Sequence, residues 1–214
     1  MTTAQIATSK VETTGLVLHW AAPYDLLVWF VMRGKERAFR EKLAQLARLA
    51  AGERVLDIGC GTGTLAIAAK QHVGAAGTVC GVDASSEMIA RARKKSAKAS
   101  SQVEFSEGVV EALPYPDQHF DVVLSTLMLH HLGPKVRRQC ASEVRRVLRP
   151  GGRWFVVDFE GSARQAGGIL SRFHRHGHIK PGDLNALVQE AGFNVRENGP
   201  VGFRNLHFVL AGIS

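Results

Sequence analysis

Val55-Leu56-Asp57-Ile58-Gly59-Cys60-Gly61-Thr62-Gly63 is the stretch that decides the fold. Apolar residues at Arg54 to Ile58 read as a short buried strand, and the glycines that follow at every second position read as a sharp turn. Glycine admits positive φ and lets a ligand approach the main chain closely. Thr64 to Val73 then reads as a helix, so the unit is strand, glycine-rich turn, helix.

The alternation continues outward. Thr78 to Val82 is a second strand ending at Asp83, and Ser85 can cap a helix reaching about Lys98. Gln102 to Ser106 and Phe120 to Ser125 are the third and fourth strands, and Pro134 to Leu148 is a helix. Pro150-Gly151-Gly152 is a turn before a fifth strand, Arg153 to Phe159. Pro181 to Ala191 is a helix, and Phe193 to Asn198 and Arg204 to Ala211 form a closing antiparallel hairpin. Strands alternating with helices make an α/β fold with a mainly parallel sheet covered on both faces. Upstream, residues 24–50 read as helical with a break at Arg33-Gly34. Phe39, Leu43, Leu46, Ala47 and Ala50 form one apolar stripe, and Gly52 ends the helix. Residues 1–14 read as a flexible tail, 15–50 as an N-terminal helical cap, and 51–214 as the main domain. Gly161 to Lys180, rich in glycine and histidine, has no clear period and reads as a mobile loop.

Composition narrows the class. The chain has 214 residues, 45% hydrophobic and 21% charged, which excludes a disordered chain or a collagen. Three scattered cysteines, Cys60, Cys80 and Cys140, suit neither a disulfide framework nor a zinc site and fit a reducing cytoplasm. The N-terminus is polar, with no secretory signal, and the longest apolar run, Leu26 to Met32, is too short to span a bilayer. The formal charge of +8 attracts anions of any kind, so contact with a membrane surface stays open.

The chemistry concentrates at the ends of the first two strands. In open α/β sheets ligands bind beyond the carboxyl ends of the strands, where the sheet order reverses. Asp83 can accept both hydroxyls of a ribose there. Two nucleotide cofactors compete, because Gly61-Thr62-Gly63-Thr64-Leu65-Ala66 also satisfies the dinucleotide pattern. A dinucleotide needs a helix N-terminus free for pyrophosphate. Asp57, two residues before the first glycine, repels phosphate but accepts from an ammonium. A cofactor with an amino group and no phosphate, S-adenosylmethionine, fits better.

With these residues in view, the chain resembles a class I S-adenosylmethionine-dependent methyltransferase of the ubiquinone/menaquinone methyltransferase-like group (methyltransferase type 11). Four blocks carry the resemblance, in the family's order: VLDIGCGTG at 55–63, VDAS at 82–85 with Met88, EALPYPDQHFDVV at 111–123, and EVRRVLRPGGRWFVVDF at 143–159. It covers about residues 50–160, and Tyr24-Asp25 resembles the opening of these enzymes. The resemblance implies a Rossmann-like doubly wound seven-stranded sheet, last strand antiparallel. It implies a methionine end lined by Asp57, Gly59, Cys60, Gly61, Thr62 and Gly63, with Tyr24 closing over the cofactor. Asp83 would hold the ribose, Ala84 and Met88 would lie beside the adenine, and Val109 and Val110 would flank its edge. Ser125 and Thr126 would sit near the transferred methyl. Many relatives carry Asp or Asn where Val109 stands. The backbone around Val109 and Val110 is then left to read the base, and one missing neutral hydrogen bond costs about 1 kcal/mol.

Plainer readings stand beside these. Asp57 could simply orient its turn. His131, with His130 before it, follows the fourth strand, and is either a catalytic base or a packed histidine. His174, His176 and His178 alternate, but no acid or cysteine stands near them in sequence, so no metal is expected. The arginine- and lysine-rich helices lack the interleaved aromatics of an RNA-stacking surface, so no nucleic-acid partner is expected. The expected activity is methyl transfer to a small apolar or amphipathic acceptor: a quinone, phenol, lipid or similar molecule. An NAD-dependent reductase, a non-catalytic S-adenosylmethionine-binding module and an RNA methyltransferase are the alternatives.

Overall fold

In the computed structural model, which describes residues 36–159, 183–203 and 205–213, the first strand is β1, Arg54–Ile58. Around it lie α1 (Glu36–Leu46), α2 (Thr64–Val73), β2 (Thr78–Asp83), α3 (Ser86–Lys98), β3 (Val103–Glu107) and β4 (Phe120–Thr126). A short 3-10 turn, Leu129–His131, leads to α4 (Pro134–Val147), β5 (Leu148–Phe159), α5 (Asp183–Glu190), β6 (Asn194–Pro200) and β7 (Leu206–Gly212). The seven-stranded sheet has the order β3-β2-β1-β4-β5-β7-β6. Strands β1 to β5 pair in parallel, and β7 runs antiparallel to both β5 and β6. The expected hairpin forms, but β7 slots inside and β6 becomes the edge. The sheet order reverses between β1 and β4, which opens a crevice at their carboxyl ends.

The two-residue period of the strands sorts the core into two faces. Val55, Val79, Val122, Leu124 and Phe155 pack with Phe39, Leu43, Leu65, Ala69 and Ile89 from α1, α2 and α3. Leu56, Cys80, Val123, Trp154 and Val156 pack with Val136, Cys140, Val144, Leu184 and Val188 from α4 and α5. Asp57 follows Val55 by one period, so it faces the side that carries α1.

Two boundaries differ from expectation. Helix α1 ends at Leu46, well before Gly52, and Arg48 takes a left-handed φ of 55°. The reason comes from β5: Arg153 donates to the carbonyls of Ala47 (2.9 Å) and Arg48 (2.6 Å) and binds Glu53 through both terminal nitrogens. The carbonyls just past the helix end thus have a side-chain partner, while those of Leu43, Ala44 and Gln45 take the Ala47, Leu49 and Arg48 amides, so no further turn is needed. Pro150-Gly151-Gly152 does not separate helix from strand, since β5 begins at Leu148 and runs through it. The register with β4 jumps from Phe120↔Leu148 to Val122↔Arg153, so the turn is absorbed as a bulge. Arg153→Ala should lower stability by about 2 kcal/mol, since hydrogen bonds to a charged group are lost. Urea denaturation would measure it.

Residues 1–35 and 160–182 lie outside the described residues. That takes in the expected tail, most of the cap with Tyr24, the expected loop and His174, His176 and His178. Among the described residues no helix is long and apolar enough to cross a membrane.

Candidate active site

The crevice at the β1/β4 switch point is walled by the glycine-rich turn, the end of β2, the 108–111 segment and the chain leaving β4. Gly59 has φ 63°, and a Cβ there would stand 2.9 Å from Cβ of Met128. Only glycine lets the turn pass under the β4 segment while holding that φ.

Asp83 holds the turn from the neighbouring strand. Its Oδ2 accepts from the Gly61 amide (2.8 Å) and its Oδ1 from the Ser85 amide (2.9 Å). Ser85 caps α3 by accepting from the Met88 amide (3.3 Å). Burial raises the Asp83 carboxyl above its ordinary value, although the two amide bonds pull the other way.

Asp57 is 1% exposed, and its Oδ2 is buried with no hydrogen-bond partner. Burial pushes its carboxyl up to about 7; Arg40 on α1 pulls down and Asp83 pushes further up. A buried carboxylate oxygen left unmatched at a crevice wall is costly unless a ligand completes it. The titration carries a sign. The folded state holds this proton more tightly than the unfolded state, so stability falls as pH rises from about 3.8 to about 7. Asp57→Asn should match wild type near pH 4 and exceed it by about 1–3 kcal/mol at pH 8. Urea melts at the two pH values check this.

Arg40 also lines the crevice, and its buried Nε has no partner. Sequence reading missed it. It sits beside Phe39 on an amphipathic helix, where an arginine is ordinary, and only the period of β1 shows that Asp57 faces it. Sequence reading also missed Asp158, at the end of β5. This carboxylate is fully buried and accepts from the His130 ring at Nδ1 (2.7 Å).

The structure brings Asp57, Gly59, Cys60, Gly61, Thr62, Asp83, Ala84, Val109, Val110, Thr126 and His131 to one crevice wall. Gly63 lies beneath, against Phe105 and Ala92. Met88 and Ser125 are buried in the core beside the crevice, outside that wall. Among the described residues no group of three or more His, Cys, Asp or Glu side chains is placed to hold a metal.

The methyltransferase domain family matches residues 55–152. A demethylmenaquinone methyltransferase of Thermus thermophilus is 34% identical over 154 residues, covering 72% of this chain and 69% of that protein. The chain belongs to the class I S-adenosylmethionine-dependent methyltransferases. A ubiquinone/menaquinone biosynthesis C-methyltransferase of Pseudomonas fluorescens is 36% identical over 70% of this chain, and the match spans 59% of that methyltransferase's length. An arsenite methyltransferase of Halobacterium salinarum is 37% identical over 72% of this chain and 40% of its own. In fold, the chain is similar to an S-adenosylmethionine-dependent methyltransferase from Aquifex aeolicus, with a TM-score of 0.70 at 24% identity, covering 82% of this chain and 89% of the other. The crevice suits the cofactor of these methyltransferases. The orphan oxygen of Asp57 awaits a donor, and Gly61, where a Cβ would meet nothing within 4 Å, leaves the main chain open to a ligand.

Proposed function

We propose that this methyltransferase binds S-adenosylmethionine across the β1/β2 strand ends and transfers its methyl to a small, apolar acceptor of the quinone or phenol type. The observation that carries the reading is the pair of carboxylates at adjacent strand ends, one unmatched and one gripping the glycine turn. Asp57 takes the cofactor's ammonium and Arg40, across from it, the carboxylate. Asp83 keeps its hold on Gly61 and accepts the ribose hydroxyls with its remaining lone pairs. Ala84, Val109 and Val110 enclose the adenine. When bound, the cofactor supplies a sulfonium methyl open to in-line attack. The charge on sulfur falls as the transition state forms, so the chain's part is alignment in a water-poor cleft.

What supports this acceptor class is the wall beyond Thr126, where Leu127, Met128 and Leu132 line the crevice. Two of the relatives are named for quinone methylation, which agrees with that wall. Several basic groups are engaged within the fold: Arg146 pairs with Glu143 and Asp117, Arg153 with Glu53, and Arg149 with Asp121. The protein incubated with S-adenosylmethionine and a quinone, phenol and lipid extract should yield a product heavier by one methylene and stoichiometric S-adenosylhomocysteine, both read by mass spectrometry. Stable binding of the cofactor with no product across the extract would favour a non-catalytic module.

A further inference from the structure

We propose that His131 removes a proton from an acidic hydroxyl of the acceptor, and that the Asp158–His130 pair behind it positions and supports that step. This rests on the methyl-transfer reading and adds the group that ionises the acceptor and the pair that positions it. Thr126 ends β4, and Leu127 then takes φ 55°, a left-handed conformation uncommon for a leucine. The Leu127 amide is held by the Val157 carbonyl at 2.8 Å. Strain of this kind persists only where surrounding contacts over-determine it. Here it turns the chain back, so that His131 lines the crevice beside Leu127, Met128 and Leu132. The turn is pinned by His131 N to Met128 O (3.0 Å) and by Arg137 Nε to Leu129 O (2.8 Å).

Behind His131 the polar groups are ordered. One carboxylate, Asp158, binds both the backbone amide of His130 (3.1 Å) and its ring Nδ1 (2.7 Å), and also takes the Phe159 amide (2.8 Å). A carboxylate only accepts, so Nδ1 of His130 carries the hydrogen. Phe159 meets the His130 ring edge-on at 5.4 Å, and the His131 ring lies 3.9 Å from that of His130. Among the described residues, the charged groups near the pair include Asp158 on β5, Arg137 on α4 and, acting on Arg137, Asp183 on α5. Holding a turn needs only a neutral acceptor, and a buried charge is expensive. Asp158 binds His130 at Nδ1, and the His130 ring in turn lies 3.9 Å from that of His131. An imidazolium at His131 then forms within the field of a buried anion.

The step balances. His131 takes the hydroxyl proton through its ring lone pair. The electron pair left on the acceptor, at the oxygen or at a conjugated carbon, forms the new bond to the methyl carbon. The sulfur–methyl bond breaks with its electrons returning to sulfur, and the proton on His131 leaves to solvent. An aromatic amine, neutral near pH 7, or a thiolate needs no such proton removal before attack, whereas a phenol or enol does, so a base on this apolar wall points to hydroxyl acceptors.

The test uses 7-hydroxycoumarin, whose phenolate has its own absorbance and emission, with the full chain saturated in S-adenosylhomocysteine. Wild type should hold the dye with a phenolate-to-phenol ratio about tenfold above that in buffer of the same pH, the equivalent of one pH unit. His131→Gln should return the ratio to the buffer value, and Asp158→Asn should lower it severalfold. Nitrogen NMR should show the Nδ1–H tautomer at His130 in wild type and its loss in Asp158→Asn. Should Asp158→Asn fail to fold, His131→Gln, at the crevice wall, decides alone. A wild-type sample with no phenolate gain, or a gain that survives His131→Gln, overturns the proposal. Calorimetry on the same samples separates the two levels: no S-adenosylhomocysteine binding at all defeats the cofactor reading instead.

Discussion

Asp83→Ala should weaken S-adenosylmethionine binding by at least tenfold, about 1.4 kcal/mol, and by as much as a hundredfold. Two losses add. The ribose loses a charged acceptor, and hydrogen bonds to charged groups are worth about 1.5–3 kcal/mol each. The Gly61 and Ser85 amides lose the carboxylate that ties the glycine turn to the start of α3. Calorimetric titration reads the affinity and circular dichroism shows that the sheet survives. The variant's fold should hold, since Asp83 ends β2 at the crevice and is not among the apolar residues that build the two core clusters. Affinity equal to wild type would mean the sugar lies elsewhere.

Gly63→Ala should cost about 3 kcal/mol of stability, the largest single effect expected here. Gly63 has φ 76°, and a Cβ would stand 2.6 Å from Cζ of Phe105 and 2.9 Å from Cβ of Ala92. The left-handed backbone costs an alanine about 1–2 kcal/mol. Overpacking against an aromatic ring that is itself 6% exposed adds about 1–3 kcal/mol. The turn cannot move away, because the Gly63 amide bonds the Cys60 carbonyl and its own carbonyl takes the Ile67 amide of α2. Gly61→Ala gives the contrast: φ is again positive at 53°, but nothing lies within 4 Å of a Cβ there. Gly61→Ala should therefore cost the strain alone in urea denaturation and act mainly on cofactor affinity.

The parts legible in the sequence were those whose signal is local. The strand Arg54–Ile58, the turn at Gly59–Gly63 and the cap at Ser85 each follow from a few adjacent residues, and each lies where expected. The contacts that escaped join distant parts of the chain. Arg153 ends a helix more than a hundred positions upstream, so periodicity around Gly52 could not find that end. Arg40 reaches the crevice only because β1 turns Asp57 toward α1. Asp158 lay inside a recognised block, yet its pairing with His130 needs β4 and β5 side by side, as they are. The placement of β7 inside β6 was equally hidden, because a hairpin has the same local pattern in either order.

The central claim is that the β1/β2 strand ends form a cradle for a sulfonium amino acid bearing a nucleoside. Isothermal titration of the full chain with S-adenosylmethionine, and separately with NAD, tests it most directly. The account predicts one site for S-adenosylmethionine, weakened by both Asp57→Asn and Asp83→Ala, and no heat with NAD. Saturable binding of NAD, with none of S-adenosylmethionine, would contradict it.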